Sequence, residues 1–168
     1  MGAPSSQLLH TAISILLALA RDPGKSPPVQ IWSLHALTMT AESSGPMFRG
    51  FVEPSLSTVI KLLLECTSVE VLTCLGRFLS ALITTVGPEL QGNNPNITMA
   101  RTSFLCAAAV LQNHPDPVVR SQSIQALQQL HMFNPSSVDL SSLVPYLCHL
   151  LSSDQVWPLS QFFSLSFL

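Results

Sequence analysis

The sequence predicts an all-α fold, a right-handed α-solenoid of about three and a half stacked helical hairpins. Three observations predict it. Apolar residues recur every three or four positions nearly throughout, and no segment alternates at period two. Pro, Gly and Asn punctuate these stretches, with short breaks inside pairs and wider breaks between pairs. The chain also overlays on itself: a shift of 90 lays Pro27, Val29, Ser33, Leu34, Ala36 and Leu37 over Pro117, Val119, Ser123, Ile124, Ala126 and Leu127. Half that shift reaches Leu79, Ala81 and Leu82 with a weaker pattern between.

The first helix is expected over 6–21, with Leu9, Ala12, Ile13, Leu16, Leu17 and Ala20 on one face and Gln7, Thr11 and Ser14 opposite. Asp22-Pro23-Gly24 stops it. Pro27 and Pro28 suit the first turn of a second helix running to about Glu42, and Gly45-Pro46 ends that unit. The third helix begins near Phe51, with Leu56, Val59, Ile60 and Leu63 inward and Lys61 and Glu65 outward. The fourth carries Leu72, Leu75, Leu79, Leu82, Ile83 and Val86 and halts at Gly87-Pro88, before a polar loop over 89–96. The fifth spans about 97–113. Asp116 then caps a sixth helix whose first residue, Pro117, lacks the amide that would go unpaired there. That helix should bury Val119, Ser123, Ala126, Leu127 and Leu130, and a seventh follows over 140–151. The hairpins are thus 6–43, 51–87, 97–133 and 140–153, a solenoid over 1–153 with an atypical apolar tail at 154–168.

Composition narrows the function. Only 10% of residues are charged and the formal net charge is -2, so there is no basic footprint for nucleic acid. So little charge suits a piece of a larger array, whose ends stay apolar for their neighbours. Cys66, Cys74, Cys106 and Cys148 lack metal-ligand spacing and fall in apolar helical patterns, which predicts reduced core cysteines in the cytosol. The apolar run 12–19 has no Lys or Arg before it, which argues against a secretion signal and leaves a small secreted helical domain as a secondary alternative. No run reaches 18 apolar residues, so no spanning segment is expected.

A unit near 45 residues lies in the range of HEAT and armadillo hairpins. Asp116, Pro117, Val119, Arg120, Ala126 and Leu127 match the second half of a HEAT unit, and Leu143 to Asp154 a first half. Pro54 and Pro145, 91 apart, mark corresponding first helices. Several stretches resemble the HEAT repeat-containing protein 5 family: SILLALA at 14–20, WSLHAL at 32–37, SSGPMFRGFVEP at 43–54, LITTVGPELQG at 82–92 and LQQLHMFNPSSVDLSSLVP at 127–145. Most are junction sequences that a degenerate repeat does not dictate. The resemblance implies a fragment or short isoform of a very long solenoid associated with clathrin adaptor complexes, the partners aftiphilin and gamma-synergin, and endosome-to-Golgi traffic. It also implies a cytoplasmic location, peripheral to endosome and Golgi membranes. The end departs from the pattern: QVWPLSQFFSLSFL replaces the expected basic helix, so a truncated product with no independent role is the alternative.

Catalysis has little support. The five histidines make no metal motif, and neither a glycine-rich phosphate loop nor a Gly-x-Ser-x-Gly elbow appears. His114, at a helix end, is placed for a cationic side chain to meet terminal carbonyls. No catalytic, metal or cofactor residue is expected. The expected role is a protein-binding scaffold, with Arg49, Glu53, Arg77 and Glu89 as candidate partner contacts and with self-association through the solenoid ends. Arg120 is placed to reach Asp116 or an acid of the neighbouring hairpin, holding the fold rather than a partner.

Overall fold

The computed structural model describes residues 3–22 and 24–152. Among these, every regular element is helical: α1 (Ala3–Arg21), α2 (Pro27–Ser44), α3 (Val52–Glu65), α4 (Val69–Val86), α5 (Pro95–Gln112), α6 (Pro117–Phe133) and α7 (Leu140–Ser152). The helices pair as antiparallel-connected neighbours, α1 with α2, α3 with α4 and α5 with α6. Between pairs, α2 packs on α4 and α4 on α6, while α1, α3 and α5 follow one another in a second row. Two rows of helices sharing one core are a stacked-hairpin architecture. The expected tail at 154–168 lies outside the described residues.

Local chemistry starts α6 and α7 where the sequence predicts and moves the start of α5. Asp116 accepts from the amides of Val118 at 2.8 Å and Val119 at 3.3 Å, ahead of Pro117. Asn94 accepts from Asn96 N–H at 3.0 Å, ahead of Pro95, so α5 begins two residues earlier than expected. Before α7, the Asp139 carboxylate takes the Ser141 amide and the hydroxyls of Ser141 and Ser142. The backbone amides among these are orphan first-turn donors satisfied by side chains.

One contiguous core runs through the stack, led by Leu34, Leu37, Phe48, Leu75, Phe78, Leu79, Leu82 and Phe104. Several of the polar residues buried with this core are satisfied within their own helix. Ser33, Thr38, Thr58 and Thr85 are all buried, and each hydroxyl donates to the carbonyl four residues back in its own helix. Ser121 and Ser123 do the same to the third residue back.

Three differences from the sequence reading share one cause, the helix-to-helix junctions. Gly45-Pro46 does not simply end α2: residues Gly45–Phe51 wind a 3-10 turn that drives Phe48 fully into the core. Gly87–Gln91 repeats it with Leu90, so the expected polar loop begins as structured chain. Gly45 and Gly87 share positive φ, 49° and 54°, a backbone that residues with a Cβ disfavour. At the third junction Asn134-Pro135 opens a shorter turn that buries Val138. Because the first turn leads directly into α3, Pro54 is the third residue of its helix, whereas Pro145 is the sixth of α7.

The cysteine expectation is corrected. Cys106 and Cys148 are exposed, and Cys66 and Cys74 are half-buried. Apolar spacing alone does not distinguish the core stripe from its neighbour one position around the helix. The segment Val69–Gln91 is long and apolar enough to cross a membrane by length and composition, although the sequence holds no uninterrupted apolar run of that size. Of that window 67% is buried inside the fold, which is how a central core helix looks.

Candidate interaction surface

The row α2, α4 and α6 leaves an open cleft of about 600 Å³ on its outer side. Its walls are His35, Met39 and Glu42 of α2, Arg77, Ser80 and Thr84 of α4, and Gln125 and Gln129 of α6. Arg49, from the first junction turn, closes one end. The parallel run of three helices creates the cleft: their small buried positions, including Ala41 and Ala81, let the backbones approach and leave the larger side chains as rims.

Four residues were expected to contact partners, and the structure divides them. Arg49 and Glu89 meet each other: the guanidinium Nη1 pairs with Glu89 Oε1, joining the first and second junction turns. Arg49 Nε also donates to the Thr85 carbonyl at 3.5 Å. Both are therefore committed to a tie between neighbouring hairpins. Glu53 is exposed at the start of α3, in the other row, and does not line the cleft. Arg77 is exposed in the middle of it.

The repeat-motif residues act structurally. Val119, Ala126 and Leu127 are buried. Arg120 Nη1 donates to the carbonyls of His114, at 3.0 Å, and Pro115. His114 Nδ1 accepts from Asp116 N–H at 3.0 Å, so the ring is turned toward the start of α6. The Asp116-Pro117 start is thus braced from the loop side as well as from the helix side.

A second polar hollow, of about 640 Å³, lies at the second and third junctions around Gln91, Arg101, Asn134 and Ser136. Its polar groups are spent on the chain itself. Arg101 donates to the carbonyls of Leu90 at 2.8 Å and Gly92 at 3.0 Å, and Asn134 Nδ2 donates to Leu90 O at 2.6 Å. Gln91 Nε2 reaches the Phe133 carbonyl at 3.1 Å. The Asn134 and Gln91 ties join residues 44 and 42 positions apart, about one hairpin, and hold neighbouring hairpins in register, whereas Arg101 braces the chain just ahead of its own helix.

Among the described residues, no group of three or more His, Cys, Asp and Glu side chains converges in a way that could hold a metal ion. Burial pushes the Cys74 thiol above its ordinary value, opposed by Arg77 and reinforced by Glu70. A raised thiol is a poor nucleophile at neutral pH.

Comparison with known proteins gives little to add to this geometry. No family model matches the chain, and no solved structure does. The chain is similar to Protein SWEETIE of Arabidopsis thaliana, at 28% identity over 129 residues. That match takes in 76% of this chain and only 6% of the relative's length.

Proposed function

We propose that this chain is a non-enzymatic HEAT/armadillo-type scaffold that binds other proteins. One observation carries the reading: three parallel helices, α2, α4 and α6, form a continuous side of the stack with an open, mixed polar and apolar cleft across it. Such a surface can take an extended partner, because each hairpin adds another strip of contact. The finer assignment rests on the resemblance to the HEAT repeat-containing protein 5 family. On that basis the partners are clathrin-adaptor accessory proteins, and the setting is endosome-to-Golgi traffic on the cytoplasmic side of those membranes.

Affinity capture tests this directly. The full 168-residue chain and a version ending at Ser153 are immobilised, and adaptor-associated proteins such as aftiphilin and gamma-synergin are scored on each. Retention by both places the binding surface in the hairpins. Retention by neither removes the trafficking assignment.

A further inference from the structure

The basic residues of the described chain are nearly all committed. Arg21 donates to Ser57, Lys25 pairs with Asp22, Arg49 with Glu89 and Lys61 with Glu65. Arg101 and Arg120 hold backbone carbonyls. Arg77 is the exception: among the described residues its guanidinium has no hydrogen bond and no ion pair, and it stands in the cleft wall on the central helix of the row.

Its surroundings have the same unspent character. Ser80, one turn along α4 in the same cleft, is 6% exposed, and its hydroxyl has no partner. A buried hydroxyl without a partner costs stability unless something supplies one. Across the cleft from α4, Gln125 and Gln129 sit four apart on α6 and so project from one helix face. Each primary amide offers both a donor and an acceptor, the pair of functions that an extended peptide backbone presents. On the α2 side Met39, 53% exposed, gives an apolar shelf beside His35.

We infer that this cleft binds an extended peptide segment of a protein partner through a side-chain carboxylate seated on Arg77. The guanidinium fork takes the two carboxylate oxygens, and the Gln125 and Gln129 amides hold the flanking peptide groups. Glu42 lines the same cleft and limits it to few acidic residues, because a second carboxylate placed beside it meets like charge. The inference rests on the scaffold reading and adds to it the site and the chemistry of the partner.

The test titrates the full chain into three fluorescein-labelled octapeptides and follows anisotropy. One is Ser-rich with a single central Glu; the others carry Gln or Lys there. The Glu peptide is expected to bind at least tenfold more tightly than the Gln peptide, and the Lys peptide more weakly still. Arg77→Gln should remove that tenfold preference while leaving the melting temperature unchanged, Arg77→Lys should keep part of it, and Glu42→Gln should tighten binding about twofold. Equal affinity for the Glu and Gln peptides, or an unchanged preference in Arg77→Gln, overturns the inference; so does an absence of binding at millimolar chain. Adaptor capture separates the two claims. Capture that survives Arg77→Gln overturns the cleft assignment and leaves the scaffold reading standing, whereas failure of the unaltered chain to capture removes the trafficking assignment whatever the peptides do.

Discussion

Asp116 and Arg120 hold the two sides of one helix start. Asp116 accepts two first-turn amides, and Arg120 returns along the loop to the carbonyls of His114 and Pro115. Asp116→Ala is expected to cost about 1 kcal/mol, the usual worth of an N-cap. Arg120→Ala should likewise lower the melting temperature while partner capture persists at a temperature where the variant is folded. An unchanged melting temperature with capture lost would show Arg120 to be a contact residue instead. Gly76 serves close packing: it is buried, and a Cβ there would lie 2.3 Å from Cβ of Gln122 on α6. Gly76→Ala would raise helix propensity by roughly 1 kcal/mol. The overlap with a neighbouring helix should outweigh that gain, leaving a net loss of ~1–3 kcal/mol by denaturant unfolding.

Between one helix and the next, equivalence does not mean equal burial. Laying Gly45 over Gly87 puts Ala36 over Phe78, Met39 over Ala81 and Trp32 over Cys74. Phe78 is fully buried and Ala81 5% exposed, since α4 has α2 on that side; Trp32 is 70% exposed. Phe78→Ala should therefore cost ~3–5 kcal/mol, and Trp32→Ala less than about 1 kcal/mol as a surface change, both measured by chemical denaturation. Helix α7 depends on a different device. Hydrogen bonds from the Ser141 hydroxyl first, then from the Ser142 hydroxyl and the Ser141 amide, hold the Asp139 carboxyl below its ordinary 3.8. A depressed carboxylate contributes stability above its unfolded value, and that contribution is lost as pH falls through the lower folded value. Amide exchange in the first turn of α7 should therefore accelerate selectively in strong acid, and Asp139→Asn should remove most of that pH dependence.

Across the whole molecule, α4 is the centre: it touches α2, α3, α5 and α6, whereas α7 has few neighbours among the described helices. Hydrogen exchange should find the slowest amides in α4 and the fastest helical amides in α7, because local opening follows contact density. Comparable protection in the two would contradict this packing order. Helix number, most boundaries and the Asp116-Pro117 start were legible in the sequence. Apolar period, cap chemistry and Pro or Gly breaks act over a few residues, and no distant partner is needed to impose them. The buried set of α6, from Val119 to Leu130, was legible for the same reason. What only the tertiary structure decided involves residues some 40 positions apart or more. Phe48 and Leu90 read as loop residues until the 3-10 turns carry them inward. Arg49 and Glu89 read as free contacts until neighbouring junctions pair them. Cys106 and Cys148 read as core until the helices' rotation leaves them outside. Among the described residues, Arg77 emerges as the uncommitted cation only once the other Lys and Arg side chains have found their partners, because sequence spacing sets which helix a side chain is on, while packing sets what stands across from it.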